Sequence, residues 1–487
     1  LPFGPRYVNG DFSFRLWAPQ AQTVHLHYRP MPAVFHETDP PEEGWLHVKM
    51  RAEGDGWFTA DGINASWGDL YRYRINDELN VPDPVSRYQP WGVHGPSQLL
   101  SPDEYDWECE GWRGRRWGEA VVSELHIGAF SQHGGYTGVC EHLDELRDAG
   151  ITAIELMPVA AFEGDRSWGY DGVLPYAPDN SYGKPAELKA LVDAAHERDM
   201  MVLLDVVYNH FGPEGNYLYV YARDFFTDKW STPWGDAIDF SRREVREFFI
   251  RNAIYWIGEF HFDGLRLDAV HAIRDESPTH FLEELASRVR TQFADRHVHL
   301  VLENEDNQAS RLDRMAGPAH YTAQWNDDFH HCMHVILTGE AEGYYKDYTT
   351  HTHGLLARSL REGFVYQGQE SEFGGGRTRG EPSFGLPMAA FVSLCQDHDQ
   401  IGNRAFGERP TVLAPAEAVR ATEAVMLLSP QVPMLFMGEE WGSEAPFYFF
   451  AGYTGELARM VTQGRREEFR HFSSFAEPAV RKRIPDP

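Results

Sequence analysis

Met200-Met-Val-Leu-Leu-Asp-Val-Val-Tyr-Asn-His210 is the stretch on which the fold turns. Its apolar run, Met200 to Val207, has the length of a buried strand and ends in the polar Tyr208, Asn209 and His210. A helical pattern follows near Glu244 to Glu259. Working outward, the same pairing recurs. Ala120–Ile127 precedes a helical segment near Gly138 to Ala149, and Ile151–Met157 one near Ala186 to Arg198. Gly264–Leu267 precedes one near Ser277 to Arg290. Val298–Leu302, Tyr321–Trp325, Ala389–Cys395 and Val432–Phe436 continue the series. Repeated βα units imply a parallel sheet, and eight of them imply a closed (β/α)8 TIM barrel with its chemistry on the loops after the strands. An open doubly wound sheet is the alternative. No GxGxxG follows a strand, and Gly374-Gly375-Gly376 lacks the Lys-Ser/Thr of a P-loop, so nucleotide-binding versions lose ground.

The first 110 residues have a different rhythm. Phe12–Trp17, Val24–Tyr28 and Leu70–Ile75 alternate with period two between Gly, Pro and Asp clusters. That pattern predicts half-buried antiparallel strands, hence a β-sandwich over residues 1–110 ahead of a barrel over 111–487. Glu108 to Gly118 reads as the connection. Long stretches rich in Gly, aromatics and acids (162–184, 211–239 and 327–384) are expected to build a cleft. Within the last, Gln367–Glu381 reads as a mobile loop.

Composition narrows the partners. With 44 basic and 74 acidic residues the net charge is −30, which argues against nucleic acid and anionic membrane surfaces. Aromatics at 14% are what a sugar-binding cleft requires, although a core uses them equally well. No apolar run reaches membrane-spanning length, and Leu1–Gly10 has no signal-peptide pattern, although the sequence does not begin with Met. Cys109, Cys140, Cys332 and Cys395 are scattered without metal-ligand spacing, which predicts a reducing, cytoplasmic setting. His210, His271 and His398 show no HExxH or paired metal-ligand spacing, so neither a metal nor an organic cofactor is expected.

Polar residues gather where candidate strands end rather than across their middles. Asp205 and His210 close one strand, Arg266, Asp268 and His271 another, Glu303 a third, and His398 and Asp399 a fourth. Two carboxyl groups at one barrel mouth can cleave a glycosidic bond with retention, one as nucleophile and one as acid/base. Arg266, two residues before Asp268 on an extended strand, points to the same side and would keep Asp268 ionised. Glu303 follows the apolar run Val298–Leu302, whose desolvation would keep it protonated as the acid. Asp399 could hold sugar hydroxyls and stabilise an oxocarbenium-like transition state, with His210, His271 and His398 as donors. Each signal has a plainer reading: Arg-x-Asp is often a structural ion pair, and Asp205 fits a loop-fixing role.

Together, Asp205-Val-Val-Tyr-Asn-His210, Gly264-Leu-Arg-Leu-Asp-Ala-Val-His271, Glu303 and His398-Asp399 resemble the four signature regions of the α-amylase family of glycoside hydrolases. The resemblance runs from about Ala120 to Pro446. It implies Asp268 as nucleophile, Glu303 as general acid/base and Asp399 as transition-state stabiliser, with Arg266, His210 and His398 supporting and Asp205 structural. Ser167-Trp-Gly-Tyr-Asp-Gly172 resembles the family's cleft segment whose aromatic stacks on sugar, a role that falls to Tyr170. Trp168, Trp234, Trp325 and Phe329 are further stacking candidates, and Asp171, Asn209 and Gln400 complete the substrate-binding set.

Gln396–Arg404, Asn326–His331, Leu337–Tyr345 and Phe436–Trp441 resemble the trehalose-releasing branch of that family, which also carries a β-sandwich before its barrel. The resemblance implies cleavage of the α-1,4 bond beside a terminal trehalose. The partner is then an α-glucan oligosaccharide, with a pathway link to the synthase that forms it. It also implies a final barrel helix and a C-terminal β domain beyond Pro487. Asp397 stands where the family usually has Asn, which adds a negative charge near the site. A glycogen-branching transferase or an α-amylase is the alternative within the family. A catalytically silent α-glucan-binding protein and a barrel metal hydrolase are alternatives outside it.

Overall fold

A computed structural model describes residues 3–31, 40, 42–232 and 235–487. Eight strands close into a parallel barrel: β1 (Val122–Leu125), β2 (Ala153–Leu156), β3 (Met201–Val206), β4 (Gly264–Leu267), β5 (His299–Leu302), β6 (Ala323–Trp325), β7 (Phe391–Leu394) and β8 (Val432–Phe436). Each strand pairs with the next in sequence, and β8 returns to β1. Every residue of these strands is buried, as a sheet with helices on its outer face requires. The register sets Asp205 on β3 opposite Arg266 on β4, which brings their charges together.

Helices Pro185–His196, Arg243–Glu259, Phe281–Gln292, Asp327–Thr338, Ala416–Leu427 and Gly455–Glu468 lie between or after the strands. The expected helix over Gly138–Ala149 is two short ones, Gly135–Cys140 and Leu143–Asp148. The helix expected from Ser277 starts at Phe281, where the ring nitrogen of His280 accepts from the Leu282 N–H and caps it. After β5 only short 3-10 turns, Ala309–Leu312 and Arg314–Ala316, precede β6.

The segment Gln367–Glu381, read from sequence as a mobile loop, forms a hairpin. Gln369–Ser371 pairs with Arg377–Arg379 across the three glycines, of which Gly375 and Gly376 take positive φ. Arg379 anchors it by donating to the Glu305 carbonyl (2.7 Å) and the Tyr348 hydroxyl (2.9 Å).

Ahead of the barrel stand two antiparallel sheets. One joins Arg6–Val8, Asp11–Trp17, Trp57–Ile63 and Arg51–Gly54; the other joins Leu46–Lys49, Val24–Arg29, Leu70–Ile75 and Leu79–Val81, with Ser97–Gln98 added on Leu70–Ile75. Their alternating apolar faces meet, with Phe14 against Tyr71 at 5.1 Å between ring centroids. This unit docks on the outside of helix Arg243–Glu259 and the loop after β3. Phe3 meets Phe248, Trp17 meets Phe225, and the Arg87 guanidinium lies 3.9 Å from the Tyr255 ring centre.

Below the barrel, Asp263 accepts from Trp112 Nε1 (2.6 Å), His196 Nε2 (2.9 Å) and the Val202 N–H (2.9 Å). Those bonds tie the connecting segment to the barrel floor. The open end that remains is the one where the strands finish.

Candidate active site

Arg266 is fully buried, and its guanidinium organises the mouth of the barrel. Nη1 donates to Asp205 Oδ2 (2.7 Å) and Asp268 Oδ1 (3.0 Å), and Nη2 donates to Glu303 Oε2 (2.5 Å). Three carboxylates from the ends of β3, β4 and β5 therefore share one cation. Asn209 fixes the second oxygen of Asp268, with Nδ2 at 2.7 Å from Oδ2. Ala269, immediately after Asp268, holds the left-handed conformation (φ 40°, ψ 49°) and aims its N–H at Glu303 Oε2 (3.0 Å). A non-glycine residue in that region stores strain of about 1–3 kcal/mol. Here the strained turn supplies the N–H that, with Arg266, holds Glu303 Oε2.

Two buried acids lie inside the barrel, contrary to the expectation that polar residues avoid the strand middles. Glu124 on β1 accepts from the His398 N–H (3.0 Å), and its other oxygen holds His398 Nδ1. Burial alone would lower the His398 pKa, but Glu124 and then Asp399 outweigh it and carry the ring up to about 10. His398 is thus a cation at neutral pH. Glu155 on β2 lies beneath Asp205, and burial pushes its carboxyl well above the usual range, with the Asp205 charge adding to the effect. Burial likewise raises Asp205 to about 7 against the pull of Arg266. The sequence signal for both glutamates was their isolation in apolar strands, Val122-Ser-Glu-Leu125 and Ala153-Ile-Glu-Leu156.

The remaining candidates separate into two groups. Tyr170 donates to Asp205 Oδ2 (2.6 Å) and lies face to face with His398 at 4.9 Å, half-buried at the mouth. Asp399 is the most exposed of the acids, its side chain 41% accessible, and lies 3.6 Å from His398 Nε2. Asp171 is half-buried in the loop after Tyr170, and Gln400, next to Asp399 in helix His398–Gly402, is half-buried with Tyr344 donating weakly to its Oε1 (3.5 Å). His271 sits farther along, in a groove with Lys229, Trp230, Asp275 and Arg311, where its Nδ1 accepts from the Glu305 N–H.

Several expected sugar contacts are corrected. Phe329 is wholly buried and Trp325 nearly so; the Trp325 ring lies under the Arg266 guanidinium at 4.2 Å and floors the site. Trp168 is buried between Phe447, Phe449 and His398, with Nε1 donating to the Tyr448 carbonyl, so it walls the cleft. Both ring nitrogens of His210 face protein oxygens, Asn209 Oδ1 and the Tyr170 carbonyl, so it positions those residues and offers no donor outward. Trp234 lies outside the described residues.

Asp397 is buried, and its surroundings oppose the charge expected of it. Its buried carboxyl accepts from the Gln400 N–H (2.6 Å) and caps helix His398–Gly402, while burial and then the Glu124 charge push its pKa well above the usual carboxylate range. Among the described residues no group of three or more His, Cys, Asp or Glu side chains is arranged to hold a metal ion.

Comparison with known proteins agrees with this geometry. Residues 106–234 match the α-amylase catalytic-domain family. The malto-oligosyltrehalose trehalohydrolase of Saccharolobus solfataricus is 42% identical over 474 residues, 96% of this chain and 80% of the relative. That of Deinococcus radiodurans is 41% identical over 478 residues, 97% of this chain and 74% of the relative. A solved Salmonella typhimurium structure assigned to the α-amylases superposes with a TM-score of 0.92 at 44% identity, over all of this chain and 80% of that one. The alignments cover the sheets ahead of the barrel as well as the barrel itself, and the chain belongs to the malto-oligosyltrehalose trehalohydrolase family, built on the α-amylase barrel.

Proposed function

We propose that this glycoside hydrolase cleaves the α-1,4 bond beside the terminal trehalose of a malto-oligosyltrehalose and releases trehalose, with Asp268 as nucleophile and Glu303 as acid/base. The observation that carries the reading is the single guanidinium of Arg266 shared by Asp268 and Glu303. Retention needs the two carboxyl groups about 5–5.5 Å apart, a separation compatible with two acids on one guanidinium. Asn209 and Arg266 hold Asp268 ready to attack the anomeric carbon. Glu303 protonates the leaving oxygen, then takes a proton from the water that releases the glycosyl-enzyme. Asp399, the most accessible acid, binds hydroxyls of the sugar at the cleavage point, and Tyr170 stacks on that sugar with the face turned from His398. Asp205 serves as a structural anchor for Arg266 and Tyr170. The N-terminal sheets, within residues 1–110, form the domain that precedes the barrel and packs on its helices. The substrate is supplied by a synthase that converts the reducing end of an α-glucan to trehalose. The four cysteines are unpaired, which suits a reducing cytoplasm.

Product analysis tests this directly. Malto-oligosyltrehalose should yield free trehalose, while a plain malto-oligosaccharide of equal length is cleaved far more slowly. Comparable attack on both would move the assignment to an α-amylase, and branched or longer products to a transferase.

A further inference from the structure

Asn326-Asp327-Asp328 follows β6 directly, between the strand that ends in Glu303 and the one that leads to Asp399. The two adjacent acids have opposite surroundings. Asp328 is buried and saturated: it accepts from Asn307 Nδ2 (3.0 Å), the Tyr348 hydroxyl (2.5 Å), and the Val365 and Tyr366 N–H groups (2.7 and 3.1 Å). Its role is to tie helix Asp327–Thr338 to the segments after it. Asp327, at the first position of that helix, is half-buried, and among the described residues no hydrogen-bond donor reaches its carboxyl. The charges acting on it are those of Glu303, then Arg379, Asp328 and Asp399, and Arg379, the one cation among them, donates instead to the Glu305 carbonyl and Tyr348.

A half-buried carboxyl without a donor, among three like charges, costs folding free energy. In a sugar cleft the missing donors are hydroxyls. We infer that Asp327 is a substrate-binding residue that accepts hydroxyl hydrogen bonds from the sugar on the leaving side of the scissile bond, the trehalose itself. This rests on the proposed reading of Glu303 as the acid. Asp327 neighbours that acid, so the sugar whose oxygen Glu303 protonates is the one within its reach. Burial raises the Asp327 carboxyl to about 7, with Glu303 adding to the effect. A hydroxyl can bond to either form.

The test compares wild type, Asp327→Asn and Asp327→Ala for kcat, KM on malto-oligosyltrehalose, inhibition by added trehalose, and thermal midpoint. The expected result is KM raised tenfold or more in the Ala variant, trehalose inhibition weakened by a similar factor, and a thermal midpoint unchanged or higher. KM and trehalose inhibition within twofold of wild type would overturn the assignment. A lowered midpoint with kcat and KM both impaired would overturn it too, since that marks a structural residue. If wild type itself released no trehalose, the functional reading would fall and this inference with it; an unaltered variant beside an active wild type would remove the Asp327 role alone.

Discussion

Arg266 shows how much one side chain can decide. It faces Asp205, Asp268 and Glu303 together, and removing it would leave three acids converging without a counter-ion. Because Asp268 and Glu303 are both held by hydrogen bonds, isosteric amides should keep the fold while losing the chemistry. Asp268→Asn and Glu303→Gln are expected to lower kcat by about 10²–10⁴-fold or more, with the thermal midpoint within a few degrees and glucan binding retained. Rates near wild type in either variant, measured by trehalose release, would reject the assignment. These acids were legible in the sequence because each is a charged residue at the end of an apolar run. The stacking aromatics were not. Trp168, Trp325 and Phe329 sit in polar, motif-like segments, and nothing in their spacing distinguishes a ring that faces sugar from one that floors the site. Asp327 and Asp328 pose the same difficulty, since adjacent acids with opposite environments look identical until their donors are known.

At the scale of elements, the eight strands were readable because fully buried parallel strands are nearly continuous apolar runs. The connections were less so. The connection after β5 contains only short 3-10 turns, and the long stretch after β6 resolves into two helices and a hairpin anchored by long-range bonds from Arg379 to Glu305 and Tyr348. Least visible was the tie between β1 and the helix after β7, where Glu124 meets His398 across 274 residues of sequence. That pair makes a pH prediction. The His398 pKa stands near 10 in the folded chain, against 6.5 for an ordinary imidazole. Its stabilisation is therefore complete below about pH 6.5 and is lost as pH rises toward 10. Glu124→Gln should cost about 3–5 kcal/mol at neutral pH, because it leaves a buried ring without its counter-charge. It should also flatten the decline in stability between pH 7 and 10, as followed by urea unfolding. An unchanged slope in the variant would show that other groups govern the alkaline limb.

For the whole molecule, the question is whether the sheets ahead of the barrel are an appendage or part of one folding unit. Domains in one chain are expected to move independently unless their interface is large and apolar. Here the buried apolar side chains run without a break from Phe14 and Trp17 through Phe225 and Phe248 into the barrel helices. Phe248 is wholly buried, with Phe3 against one edge and Phe225 and Tyr176 around it. Gln20 adds polar ties, donating to Asp224 Oδ1 (2.7 Å) and accepting from the Arg223 N–H (2.7 Å). Calorimetry should therefore give a single transition in which sheets and barrel unfold together. Phe248→Ala removes the ring at the junction and should cost about 3–5 kcal/mol. Spread over a cooperative unit of this size, that loss lowers the midpoint by only about 4 °C and leaves one peak. Two resolved transitions in the wild type, with trehalose release surviving the first, would show that the sheets unfold alone. Two transitions only in the variant would mean that Phe248 itself couples the units, and that the polar ties through Gln20 are too weak to do so.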